Sequence, residues 1–236
     1  MTLVRDCGAV PGSQAPPSGP GLPVVVSCGP LMAPAIPFLA HLREPVPPER
    51  LVATARERIA AGSPWVKILA DAPGEDGNFI AATPTYAVEL VAEMCSAVHD
   101  AGGRVAAHST GQVATALVDA GVDSIEHGGW LDGEALARLG ARGGAWTPTL
   151  STALLHLQPL IDSGHPAGPF LQRHLDGIAQ ALAGATAAGV VVLAGTDEME
   201  HGSVRDEVDL LRRFGLDDGA ARASASTAAR EFLLRA

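Results

Sequence analysis

Short apolar, β-branched runs alternate with helical stretches along most of this chain, and that alternation constrains its fold more than any other feature. WVKILA (65–70), RVAAH (104–108), VDSIEH (122–127), AWTPTL (145–150) and VVVLAG (190–195) read as strands. Helical patterning fills 83–103, with Thr83 as a cap and Pro84 in the first turn, then 110–121, 132–143 and about 167–189, the last interrupted or preceded by SGHPAGP. Upstream, TLVRD (2–6) and VVVSCG read as strands on either side of a Pro- and Gly-rich loop, 9–21. A Pro-rich passage, Pro30 to Pro48, then leads into a helix that begins near Pro48 and stops at Gly62. Two helices, about 203–214 and 217–234, close the chain. Strands that are apolar throughout and separated by helices imply a parallel sheet covered on both faces, either an open doubly wound sheet or a (β/α)8 barrel.

With 236 residues, 47% of them hydrophobic, the chain can bury one large core, and 1–236 reads as a single domain. Its net charge of −10 opposes binding to nucleic acid or to an anionic membrane, and favours a small-molecule partner. The three cysteines, Cys7, Cys28 and Cys95, are widely spaced and form no CxxC pair, so neither a disulfide framework nor a thiolate zinc site is expected. A reducing cytoplasm is the compartment this suggests. The first ten residues lack the apolar run of a signal peptide, and no segment approaches the roughly 20 apolar residues of a membrane span.

The chemistry lies where polar residues interrupt the strands. No GxGxxG, P-loop or GxSxG motif occurs, so the usual signatures of open α/β sheets are missing. Instead Lys67, His108, Glu126 with His127, and Asp197 stand in or at the C-terminal ends of apolar runs, which is where barrels assemble active sites. Each has an ordinary alternative. Lys67 could extend its ammonium to water, Asp197 could cap the next helix, and the two histidines could be structural. Together, two imidazoles, a lysine and a carboxylate are a donor set for Zn²⁺ or a related divalent ion. A buried lysine loses its charge easily, and its neutral amine can take up carbon dioxide to become an anionic carbamate ligand.

In this order, WVKIL, RVAAHSTG, VDSIEHGGWLD, TPTL and LAGTD resemble strands four to eight of the amidohydrolase superfamily, above all its imidazolonepropionase-like and Xaa-Pro or Xaa-Arg dipeptidase-like branch. LVRDCG is similar to that branch's second strand, and the likeness extends to the closing STAAREFL. The resemblance implies a metal-dependent hydrolase of C–N bonds in cyclic amides, amides or dipeptides. It makes Lys67, as a carboxylated lysine, the bridging ligand, His108 and His127 ligands of the more exposed metal, and Asp197 both a ligand and the catalytic proton carrier. His201 and Trp130, in loops after two of these strands, are candidate substrate contacts. Glu126 is expected to face away from His127 by strand alternation and to pack or support rather than ligate.

The pattern also departs from that family. No two of the eight histidines stand two apart, so the first-strand HxH is absent, as is the family's β-sandwich. The expected fold is therefore an incomplete TIM-type barrel without its first strand, with open edges to be covered by helices, by dimerisation or by a neighbouring chain. One metal ion, held by Lys67, His108 and His127, is expected rather than two. The competing reading is an inactive remnant that keeps the scaffold and binds a small molecule. A chain start that omits the first strand is a further alternative.

Overall fold

A computed structural model describes residues 2–14, 16–74, 82–197 and 203–235. The chain divides into two compact units, 1–123 and 124–235.

The first unit holds β1 (Leu3–Asp6), β2 (Val24–Ser27), β3 (Leu31–Ala33), β4 (Arg43–Pro45), a 3-10 turn (Pro48–Arg50), α1 (Leu51–Ala60), β5 (Trp65–Leu69), β6 (Asp71–Ala72), β7 (Thr83–Pro84), α2 (Val88–Asp100), β8 (Arg104–Ser109) and α3 (Ala114–Asp119). β8, β5, β3 and β4 lie side by side as parallel strands, and β1 pairs with β2, also parallel. β5 is buried along all five residues, because helices and neighbouring strands leave it no exposed face. The guanidinium of Arg104 covers the Trp65 ring at 4.3 Å and that of Arg5 at 5.2 Å, closing the start of β5 with cation–π contacts.

Two features of this unit correct the sequence reading. The passage from Pro30 to Pro48 contains β3 and β4, whose three-residue strands are too short to show a period. Leu31, Met32 and Ala33 are nevertheless buried. Thr83 and Pro84 do not open a helix: they form β7, antiparallel to β6, and α2 begins at Val88 with no side-chain cap. The next residue explains this, since the Thr85 N–H donates to the Ala70 carbonyl at 2.9 Å and its hydroxyl donates to that of Leu69, fixing 83–85 against the end of β5.

The second unit holds β9 (Ser124–His127), α4 (Gly133–Ala141), β10 (Ala145–Thr147), α5 (Leu150–Asp162), α6 (Gly168–Ala185), β11 (Val191–Val192), α7 (Val204–Arg213), α8 (Asp218–Ser224) and α9 (Thr227–Leu234). β9, β10 and β11 are parallel neighbours in that order. Asp132 caps α4 by accepting the Ala135 N–H at 2.8 Å. α5 is absent from the sequence reading. The final helix is broken into α8 and α9 at Ala225 and Ser226, which frees the Ser224 carbonyl to accept the Ala194 N–H at 3.1 Å, just beyond β11. No helix among the described residues is long and apolar enough to cross a membrane.

Candidate functional site

In the first unit the register of β5 on β8 pairs Lys67 with Ala106 and Leu69 with His108. Paired residues of parallel strands project to the same side, and residues two apart share a face, so Lys67 and His108 stand on one face of adjacent strands. Both are buried, at 5% and 7% exposure, which rules out a lysine that merely reaches to water. The His108 ring packs 5.8 Å from that of Phe38.

The chain just past His108 is anchored by a residue that sequence reasoning missed. Asp71, fully buried in β6, accepts the Ser109 hydroxyl at 2.6 Å, the Thr110 N–H at 2.9 Å, the Thr110 hydroxyl at 3.1 Å and the Gly111 N–H at 2.9 Å. Four donors satisfy the carboxyl oxygens away from water. Gly111 leaves the approach open, since a Cβ there would sit 3.1 Å from the Ala82 carbonyl oxygen and 3.3 Å from Asp71 Oδ2. The available signal was a carboxylate two residues past a wholly buried strand, in ILAD.

The second unit brings His127 and Asp197 together. His127 ends β9 with φ at 70°, and Gly128 follows at 61°, so the chain leaves the strand by a left-handed turn. The Trp146 indole N–H donates to the His127 carbonyl at 2.7 Å, and a Cβ on Gly128 would meet Trp146 Nε1 at 2.8 Å. The Thr149 hydroxyl donates its only proton to the Pro148 carbonyl at 2.7 Å. Toward His127 Nδ1, 2.7 Å away, it can therefore only accept, which places the imidazole proton on Nδ1 and leaves Nε2 as the acceptor nitrogen. That Nε2 faces Asp197 Oδ2 at 3.9 Å. An imidazole lone pair and a carboxylate oxygen repel each other at this separation, and a proton or a metal ion between them reverses the sign.

Thr149 and Asp197 also have positive φ, 51° and 55°. A non-glycine residue held there costs on the order of 1–3 kcal/mol and persists only where its surroundings impose it. Those surroundings are the first turn of α5. The Thr152 hydroxyl donates to the Thr196 carbonyl at 2.8 Å, immediately before Asp197. Glu207 of α7, fully buried, accepts the Leu150 N–H at 2.8 Å and the Ser151 N–H at 2.9 Å. Burial raises the pKa of the Glu207 carboxyl, and the two backbone donors oppose that rise.

The remaining expectations divide. Among the described residues the next helix, α7, is capped by Ser203, which accepts the Asp206 N–H at 3.3 Å, and not by Asp197. Glu126 is buried and accepts the Ser124 hydroxyl at 2.6 Å. Trp130 stacks on α6, with ring centroids 5.0 Å from His174 and 5.8 Å from Phe170, and burial lowers the pKa of the His174 imidazole. His201 lies outside the described residues. Among the described residues, no group of three or more His, Cys, Asp or Glu side chains is placed to hold a metal. The donors come in pairs, His127 with Asp197 in the second unit and His108 beside Lys67 on one face of the first, and their chemistry suits a divalent ion.

No family model matches the chain. An uncharacterized protein of Mycobacterium tuberculosis is 31% identical over 244 residues, covering 99% of this chain, and the chain spans 64% of that relative's length. Among solved structures, Aspergillus niger ochratoxinase superposes with a TM-score of 0.71 at 22% identity, over 89% of this chain and 55% of that one. A Xaa-Pro dipeptidase with methionine bound in its active site gives 0.67 at 24%, over 89% and 57%. An amidohydrolase gives 0.70 at 18%, over 99% and 63%. These structural neighbours are amidohydrolase-family hydrolases, and the chain shares their α/β fold.

Proposed function

We propose that this chain carries the active centre of a metal-dependent hydrolase of amide-type C–N bonds, acting on a small-molecule amide, cyclic amide or dipeptide. The observation that carries this reading is the His127–Asp197 pair, an acceptor nitrogen facing a carboxylate oxygen at 3.9 Å with the imidazole tautomer fixed by Thr149. The likeness in fold to ochratoxinase and a Xaa-Pro dipeptidase supports the bond class.

In the second unit His127 with Asp197, and in the first Lys67, as a carbamate, with His108, are the proposed divalent-ion ligands, zinc by the character of these donors. When bound, such an ion acidifies a water molecule and polarises the scissile carbonyl. The chain's own groups do the rest. Thr149 holds the His127 ring through Nδ1, which leaves Nε2 on the side of Asp197. Asp197, whose side chain keeps 41% of its exposure, takes the proton of the attacking water and passes it to the leaving nitrogen. Trp130 and His201 are the proposed substrate contacts.

The test is hydrolysis of a panel of N-acyl amino acids, Xaa-Pro dipeptides and cyclic amides by protein prepared with zinc and bicarbonate. Amine release from at least one class is expected, falling by about 10²–10⁴-fold in Asp197→Asn, whose amide cannot accept the proton. No release from any class would overturn the proposal. A second reading, a scaffold that binds metal or a small molecule without turnover, draws support from the lack of a three-residue His, Cys, Asp or Glu cage among the described residues. Metal binding with no turnover on any substrate would favour it.

A further inference from the structure

The first turn of α5, with the residue before it, reaches His127 and the neighbour of Asp197. Thr149, the residue preceding α5, bonds to the His127 ring, and Thr152, in its first turn, bonds to the Thr196 carbonyl. That turn has no side-chain cap of its own, and Thr149 is left-handed, so the local sequence does not hold the turn in place. The holding group comes from 56 residues away: the Glu207 carboxylate, fully buried, receives the Leu150 and Ser151 N–H groups on separate oxygens at 2.8 and 2.9 Å. A carboxylate also lies favourably at the positive end of the α5 dipole.

We propose that Glu207 is a positioning residue for the His127–Asp197 pair, setting through the first turn of α5 both the imidazole tautomer and the place of the Asp197 carboxylate. A helix cap alone does not require a buried acid, because solvent-facing Ser, Thr or Asp residues cap helices without placing a charge in the interior. Here the acid spans two consecutive N–H groups, and those groups lie between the two threonines that reach the site. Rotating or lifting this turn moves Thr149 Oγ1 away from His127 Nδ1 and releases Thr196, so one carboxylate governs both contacts. The inference rests on the proposed role of His127 and Asp197, but its test needs neither metal nor substrate.

Protein labelled with ¹⁵N-histidine, stripped of metal by a chelator, is examined near neutral pH by long-range ¹H–¹⁵N correlation spectra, with His127 assigned from its loss in His127→Gln. The wild-type ring is expected as the Nδ1–H tautomer. In Glu207→Gln the side-chain amide presents a donor to one of the two N–H groups, and the tautomer preference is expected to fall by at least about threefold. Glu207→Asp, which keeps the charge on a shorter stem, is expected to recover part of it. His99, which pairs with Asp123 at 2.9 Å in the first unit, is the internal control and is expected not to move. A Glu207→Gln protein that melts cooperatively and leaves the His127 spectrum unchanged overturns the proposal and reduces Glu207 to a helix cap. If Glu207→Gln does not fold, Glu207→Asp, whose shorter stem draws the carboxylate away from the two N–H groups, decides the matter. A shifted His127 Nε2 resonance is expected, and an unchanged one overturns the proposal. A displaced tautomer in a protein that hydrolyses nothing would leave this inference standing and sink the hydrolase reading instead.

Discussion

The two units present their candidate residues by different means. In the first, Lys67 and His108 stay in ordinary strand conformation, their shared face follows from the β5–β8 register, and one buried carboxylate, Asp71, anchors the turn that follows. In the second, His127, Thr149 and Asp197 all leave strand geometry for the left-handed region, braced by α5 and Glu207. Alternation suffices to aim a side chain from within a strand. Opposing a histidine and a carboxylate from β9 and the chain beyond β11, with β10 between them, requires backbone strain held by contacts remote in sequence.

The sharpest way to break this contrast is to remove the two braces. Asp71→Ala leaves the Ser109 and Thr110 hydroxyls and two backbone N–H groups without their acceptor, and is expected to cost on the order of 3–5 kcal/mol in urea unfolding. A loss below about 1 kcal/mol would show that the turn after His108 is held by something else. Glycine substitutions should then have opposite signs in the two units. His108→Gly, in regular strand, loses packing and adds chain entropy, with an expected cost of about 2–3 kcal/mol. Asp197→Gly relieves a positive φ on a half-exposed side chain and is expected to gain about 1 kcal/mol while abolishing hydrolysis. Equal destabilisation by both would contradict the strain assignment.

The smallest expected effect is on pH dependence. Burial holds the Glu207 carboxyl above the ordinary glutamate range, so its folded state binds a proton more tightly than its unfolded state. Its contribution to stability is thus fully present below the ordinary value of about 4.3 and is lost as pH rises through the folded value. In Glu207→Gln that slope should vanish, so urea midpoints of wild type measured against this variant should decline between mildly acidic and neutral pH. Parallel profiles would contradict it.

Much of the fold was legible in the sequence because β5, β8 and β9 are largely buried and lie in or beside apolar runs, and because Gly62 and Asp132 end and begin helices by local chemistry. α5 escaped because it opens on Leu-Ser-Thr and contains Pro159, two local signals against a helix that Glu207 and packing override. β3 and β4 escaped because three-residue strands carry no period. For the site, Lys67, His108, His127 and Asp197 stood out as ionisable groups in apolar runs. Asp71, Thr149 and Glu207 did not, because their roles depend on partners that only the tertiary fold brings near: Ser109 to Gly111, His127, and the first turn of α5. TPTL was recognisable as a motif, but nothing local showed that its second threonine orients an imidazole.

The central claim is that His127, presented by Thr149 toward Asp197, helps to hold a catalytic divalent ion. Elemental analysis of protein purified with zinc and bicarbonate tests this most directly, comparing wild type with His127→Ala and Thr149→Val. About one equivalent of zinc is expected in wild type, near-complete loss in His127→Ala, and affinity weakened by about 10–100-fold in Thr149→Val, as for other groups that orient a ligating histidine. Less than about a tenth of an equivalent in wild type, unchanged in His127→Ala, would contradict it.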